Sequence, residues 1–316
     1  MSHHGGFDVF ADALRRVMFN NEGREIVGNG TARRVRMAEA LTREFVAFDL
    51  ETTGLVAQVD RVVEIGAVRF DATGRELGRF ESLVNPERPM SPAAWAVHGI
   101  SDADLAGAPS ARDVLPEFVA FMGDPETTAL MAHNASFDAS FLGRELGRLG
   151  PTLPRHKVID TLPLARRRLP QAPDHRLDTL ARLLGLDPEG SHRALPDSLR
   201  VMGLWVALDG PLVAESALVA YPIFDPKGPT PAPTGWESLA GAIAAGGRVR
   251  MEYTGGTRGA TPREVSPRAF VYKGGVPYLV AFCHLDAFEK AFRLDRVLRY
   301  EILGAAAGVD EPRQTG

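Results

Sequence analysis

The sequence predicts an α/β fold, a mixed sheet covered by helices, followed by a small β-rich module. Three features lead there. Strand-like apolar runs open the main region and then alternate with helical patterns. A proline-rich stretch, "YPIFDPKGPTPAPTG", interrupts the chain at 221–235. Beyond it, strand patterns return. A length of 316 residues fits about two domains.

Residues 1–43 read as an N-terminal helical extension. In "DVFADALRRVMF", Val9, Phe10, Ala13, Leu14, Val17 and Met18 share one helical face, with Asp8 as N-cap. That stripe is expected to pack on the main domain, a dimer contact being the alternative. In the main domain, 44–220, "EFVAFDLE", "RVVEIGAVRFD" and "GRFESLVN" read as strands, and "DATGRE" turns the chain between the last two. The helix "ARDVLPEFVAFMG" precedes the strand "TTALMAHN", and "ASFDASFLGRELGRLG" precedes "KVIDTLPLARR". "RLDTLARLLGL" and "LPDSLRVMGLWVALDG" close the alternation, which implies a sheet of mixed direction. In the linker, 221–235, Pro222, Pro226, Pro229, Pro231 and Pro233 impose a semi-extended spacer. The last region, 236–316, pairs a short helix, "WESLAGAIAAG", with the strand-like runs "RVRMEY", "AFVYKGGVPYLVAF" and "VLRYEIL".

Composition narrows the classes of function. Apolar residues make up 45% and charged residues 24%, the ordinary balance of a soluble globular protein. The net charge of −4 means that any nucleic-acid binding must come from local basic patches or bound cations. Cys283 is the single cysteine, so no intramolecular disulfide forms and an oxidising compartment is not implied. No apolar run approaches the roughly 20 residues of a membrane span. The N-terminus lacks the basic start and apolar core of a signal peptide. A cytoplasmic protein without membrane partners is expected.

Asp49 and Glu51 interrupt "FVAFDLETTGL", a run otherwise suited to a buried strand. Strand residues i and i+2 share a face, so the two acids stand side by side, roughly 6–7 Å apart. Like charges about 4 Å apart repel by roughly 4 kcal/mol at an effective dielectric near 20, so close carboxylates call for a cation. A solvated strand edge is the alternative, opposed by the flanking Phe45, Val46, Ala47, Phe48 and Leu50. Asp138 sits between Phe137 and Phe141 near a helix start, and His192 precedes Asp197 by five residues. Pro196 suits a first helical turn, which puts His192 on the preceding loop and Asp197 on the helix. Taken singly, each has an ordinary reading, as a cap or a surface histidine. Together, oxygen ligands without thiols select Mg²⁺ or Mn²⁺. Two such ions about 3.5–4 Å apart form a clamp for phosphodiester hydrolysis, with a neutral histidine to take a proton from water.

In order and spacing, "FDLETTG", "AHNASFD" and "HRALPD" resemble the three motifs of the DEDDh 3′–5′ exonucleases, the family that contains the epsilon proofreading subunit of bacterial DNA polymerase III. "NPERPMSPAAWAVHGISDADLAGAPS" is similar to the family's segment between the first two motifs. The resemblance covers about Glu44 to Gly210 and implies a ribonuclease H-like sheet. It implies that Asp49 bridges two metals, that Glu51 and Asp197 complete the first ion's shell, that Asp138 holds the second, and that His192 is the general base. It further implies that Thr52, Thr53, Gly54 and Leu55 grip the terminal nucleotide, with His98 and Asn134 nearby. Gly54 equally suits a tight turn after a strand. Pro196, within the third motif, is a departure expected to stiffen the loop and shift His192 slightly.

At the C-terminal end, "REVSP", "GGVPYLVAF" and "FRLDRV" resemble a WYL domain, a small Sm-like β-barrel associated with nucleic-acid or nucleotide-like ligands. Pro277-Tyr278-Leu279 stands where that family has Trp-Tyr-Leu, so the tryptophan is absent. Tyr253, Arg263, Arg268, Tyr278, Arg293 and Arg296 are candidates for a basic, aromatic binding surface. Alternatively, Arg293 and Arg296 pair with Asp295 and Glu264 to lock the barrel. The resulting expectation is a 3′–5′ exonuclease with two Mg²⁺ or Mn²⁺ ions. It would act on single-stranded 3′ ends, DNA in preference to RNA, and release nucleoside monophosphates with polymerase or repair partners. The other reading is a regulatory nucleic-acid- or nucleotide-binding protein with a vestigial nuclease.

Overall fold

Strand β1 (Glu44–Thr52) is buried from Phe45 to Phe48 because it lies inside a sheet, with a partner on each side. The computed structural model describes residues 43–186, 192–224, 230–254, 261–273 and 275–305. The amphipathic stretch at 8–18 and part of the proline-rich stretch lie outside those residues. By its contacts the chain divides into two units. The first runs up to Thr52, from Val62 to Glu87 and from Trp95 to the linker. The second holds Thr53–Arg61, Arg88–Ala94 and the residues after the linker.

In the first unit β2 (Val62–Asp71) and β3 (Glu76–Leu83) form an antiparallel hairpin against β1. Asp71 closes the turn by accepting from the N–H groups of Thr73 and Arg75. On its other side β1 runs parallel to β4 (Thr128–Ala132), which runs parallel to β5 (Lys157–Asp160). The short β6 (Ala220–Pro222) adds antiparallel to β5 and completes the order β3-β2-β1-β4-β5-β6. Pro222 is tolerated because β6 is an edge strand.

Helices fill the connections, as parallel pairing requires. After α1 (Pro92–His98) and α2 (Asp102–Leu105), α3 (Ala111–Met122) leads into β4. α4 (Ser136–Leu149) links β4 to β5, and α5 (Thr161–Arg168) and α6 (Leu177–Leu184) follow. α7 (Ala194–Ala207) then packs across β1 and β2. Val201, Leu204 and Trp205 of α7 meet Phe45, Val68 and Phe70 of the sheet in one core. Gly66 allows the close approach, since a Cβ there would lie 2.1 Å from the Ala194 backbone. Ser198 fastens the contact by donating to the Gly66 carbonyl at 2.8 Å.

In the second unit α8 (Glu237–Ala244) covers an antiparallel sheet of order β10-β9-β8-β7-β11. Its strands are β7 (Gly247–Tyr253), β8 (Arg263–Lys273), β9 (Val276–Cys283), β10 (Phe288–Arg293) and β11 (Val297–Ala305). The β-rich module expected from the sequence is present, but not as a closed Sm-like barrel. Among the described residues the sheet is open, with no ladder joining β10 to β11. A 3₁₀ turn at Leu294–Arg296 occupies the corner where that ladder would begin. Val56 and Val59 pack with Val271 and Val280 in the same unit. No helix of the described residues is long and apolar enough to cross a membrane.

Candidate active site

The C-terminal half of β1 delivers Asp49 and Glu51, both half-buried on one face. Asp197 arrives from the first turn of α7, which is pressed onto β1 and β2 at Gly66. One oxygen from each of Asp49, Glu51 and Asp197 lies within 4.8 Å of the others. Asp138 enters from the first turn of α4, is 2% exposed, and among the described residues its Oδ1 has no hydrogen-bond partner.

Burial and the crowding of like charges raise the pKa of each of these acids. Burial, then repulsion from Asp138, Glu51 and Asp197, raises the Asp49 carboxyl well above the carboxylate range. Burial likewise raises Asp138, with Glu51 and Asp160 adding to it. Glu51 is pushed up to about 8, by burial first and then by Asp197 and Glu64, while Arg193 opposes the rise. Asp197 is raised by burial against the opposing bond from Arg200. The donor set is all oxygen, anionic and poorly solvated, which fits a hard divalent cation. Asp138 Oδ1, buried without a donor, is an acceptor such a cation would satisfy.

His192 lies on the loop before α7 in a left-handed conformation, φ 58°. Its Nε2 stands 3.6 Å from Asp178 Oδ2 on α6, outside the trio of acids. Arg200 bonds to Asp197 and lies 3.4 Å from Asp178, so one buried guanidinium bridges the two acids. His98 is buried, accepts from Ile100 N–H at Nδ1 and lies 3.3 Å from the Thr52 carbonyl through Nε2. With both nitrogens on backbone and burial lowering its pKa, His98 braces the end of β1 as a neutral ring. Asn134 is exposed at φ 64° in the turn before α4, its N–H donating to Asp160. Thr52 and Thr53 are buried, and Leu55 is 60% exposed. Gly54 backs onto Asp60, where a Cβ would meet a carboxylate oxygen at 2.5 Å.

Several of the C-terminal candidates adjoin one another: Tyr253 Oη accepts from the Arg293 N–H at 3.3 Å, and Tyr278 pairs with Arg293 across the β9–β10 ladder. Arg263 and Tyr253 are buried, with the Arg263 guanidinium 5.7 Å from the Tyr253 ring and 5.9 Å from that of Phe292. Among the described residues Arg263 Nε and Nη2 have no hydrogen-bond partner. Arg293 forks onto Asp295 at 3.0 and 2.5 Å, and Arg268 lies 3.8 Å from Glu289. Tyr278 is half-buried and Arg296 exposed; Glu264 bonds to Arg250 at 3.1 Å.

Fold and acidic centre together define a nuclease of the α/β class. The exonuclease family model matches residues 46–204, half of the chain, and the chain belongs to that family. The WYL domain model matches residues 236–302. The chain is 39% identical over 166 residues to the DNA polymerase III epsilon subunit of Treponema pallidum, covering 52% of this chain and 75% of that protein. It is 40% identical over 158 residues to the PolC-type DNA polymerase III of Halalkalibacterium halodurans, covering 50% of this chain and 11% of the much longer polymerase. Among solved structures, exonuclease X in complex with 5′-overhanging duplex DNA aligns at 32% identity with a TM-score of 0.41, over 53% of this chain and 90% of that one.

Sequence reasoning missed Glu64, Arg193, Arg200 and Asp178. Glu64, 1% exposed, takes two bonds from Arg193 Nε at 2.9 and 3.0 Å and one from Ala194 N–H at 2.8 Å. An acid inside "VVEIGAV" was its only signal, the same signal that singled out Asp49.

Proposed function

We propose that the chain is a metal-dependent 3′–5′ exonuclease that hydrolyses the terminal phosphodiester bond of single-stranded nucleic acid. DNA is preferred to RNA, nucleoside monophosphates are released, and repair or proofreading is the setting. The observation that carries this reading is the convergence of Asp49, Glu51 and Asp197 within 4.8 Å of one another.

In this reading Asp49, Glu51, Asp138 and Asp197 would hold the Mg²⁺ or Mn²⁺ ions. Such ions lower the pKa of bound water and stabilise charge on the leaving oxygen. His192 takes the proton from the attacking water, a general-base role worth about 10²–10⁴-fold. Thr52, Thr53, Gly54 and Leu55 hold the terminal nucleotide, with exposed Leu55 offering an apolar face to a base, and Asn134 and His98 are further candidate substrate contacts.

Matched end-labelled DNA and RNA oligonucleotides, single- and double-stranded, test this directly. Shortening from the 3′ end of single-stranded DNA, dependent on Mg²⁺ or Mn²⁺ and absent in Asp49→Ala, is expected. Equal cleavage by Asp49→Ala would refute it.

The C-terminal module supports a nucleotide or nucleic-acid ligand. A buried Arg263 with two unbonded nitrogens, held between Tyr253 and Phe292, suits an anion. Arg268, Tyr278, Arg293 and Arg296 extend the candidate contacts. Arg263→Gln is expected to weaken oligonucleotide binding to the module without changing Mn²⁺ affinity.

A further inference from the structure

The loop that carries His192 is held by a residue far away in sequence. His192 has φ 58°, a conformation that non-glycine residues adopt sparingly and that needs support from its surroundings. Directly after it, Arg193 occupies the N-cap position of α7 without making a side-chain cap. The capping acceptor comes instead from β2, where Glu64 takes the Ala194 N–H at 2.8 Å. The same carboxylate accepts from Arg193 Nε at 2.9 and 3.0 Å.

Glu64 stands directly across the ladder from Glu51. Acids opposite one another repel, and a fourth acid beside the trio would compete for a cation. Arg193 and Ala194 absorb the charge of Glu64, which leaves it out of the ligand trio of Asp49, Glu51 and Asp197. One carboxylate thereby ties the residues that separate His192 from Asp197 to the strand beside Glu51.

We infer that Glu64 and Arg193 are positioning residues, which set the His192 loop and the start of α7 for hydrolysis. This rests on the exonuclease reading above. It predicts that a cut in the Glu64–Arg193 link acts through His192. Arg193 suits the test because its side chain is 44% exposed and its truncation opens no core cavity.

The experiment is a double-mutant cycle on the full chain with Mn²⁺ and single-stranded DNA, reading kcat and KM separately. Arg193→Ala is expected to lower kcat by about 10–100-fold, the cost of a small misplacement of a reacting group, with KM changed less than about twofold. Arg193→Lys should recover part of the loss, since it restores the charge but not the fork. In a His192→Ala background, Arg193→Ala should cost less than about twofold, because there is no base left to misplace. The same loss in both backgrounds would overturn the inference. So would unchanged kcat, or a pure rise in KM that high salt abolishes, which would make Arg193 a phosphate contact. A wild type active with Mn²⁺ and impaired by His192→Ala keeps the exonuclease reading whichever way the cycle falls. An inactive wild type refutes both.

Discussion

Glu51 carries the sharpest prediction among single residues. Its carboxyl goes from 4.5 in the unfolded chain to about 8 in the fold. Between those values the native state binds more protons than the unfolded one, so metal-free stability must fall as pH rises across that window. Thermal melts in EDTA should therefore show a lower Tm at pH 8.5 than at pH 5.5, and added Mn²⁺ should raise Tm most at the higher pH. An EDTA melting curve that rises across this range would contradict the crowding of acids described here. The same logic makes Asp49→Asn a stabilising loss of function. It should raise the metal-free Tm at pH 8 by a few degrees, about 2–4 °C per kcal/mol relieved. The acids were legible in the sequence because a carboxylate inside an apolar strand announces itself. Arg200 and Asp178 were not, since an arginine and an aspartate on helix faces look like solvated charges until packing buries the guanidinium beside Asp197.

For the elements, the contact between α7 and β2 is decisive. Asp197 reaches the acids of β1 only because Gly66 lets the α7 backbone touch β2. Gly66→Ala must push the helix away, and overpacking of this kind costs about 1–3 kcal/mol. We expect a Tm lower by several degrees and a weaker Mn²⁺ affinity, both readable by calorimetry. An unchanged Mn²⁺ affinity would show that Asp197 does not depend on this contact. Strands β1 to β5 and helices α3, α4, α6 and α7 were legible from apolar periodicity and turn residues, whereas α5 lay hidden in the run "KVIDTLPLARR", which read as a strand. Nor was β10 legible, because "FEKAFR" carries Glu289, Lys290 and Arg293 along an edge strand. Barrel closure was also illegible, being a matter of ladder pairing at a corner that no local pattern encodes.

For the whole molecule, one unit gathers segments that lie far apart in sequence. Thr53–Arg61 follows β1 directly yet clusters with the C-terminal sheet, where Val56 and Val59 meet Val271 and Val280. Arg88 ties that segment together, bonding to the Val59 and Glu289 carbonyls, pairing with Asp60 at 3.6 Å and lying over the Phe288 ring. Arg88→Ala is expected to loosen Thr53–Leu55 and raise KM for single-stranded DNA several-fold with kcat and Mn²⁺ affinity held. A kcat loss at constant KM would place the effect elsewhere. This grouping was hidden from sequence because it joins residues more than 200 positions apart through apolar contacts that look generic in the chain.

On the proposed reading Asp49, Glu51, Asp138 and Asp197 hold divalent cations together. Equilibrium Mn²⁺ binding, followed by electron paramagnetic resonance of the free ion, measures it most directly. Two ions per chain in the wild type, with binding lost or sharply weakened in Asp49→Ala, is the predicted result. Mn²⁺ binding of equal strength and stoichiometry in Asp49→Ala, or none in the wild type, would contradict it.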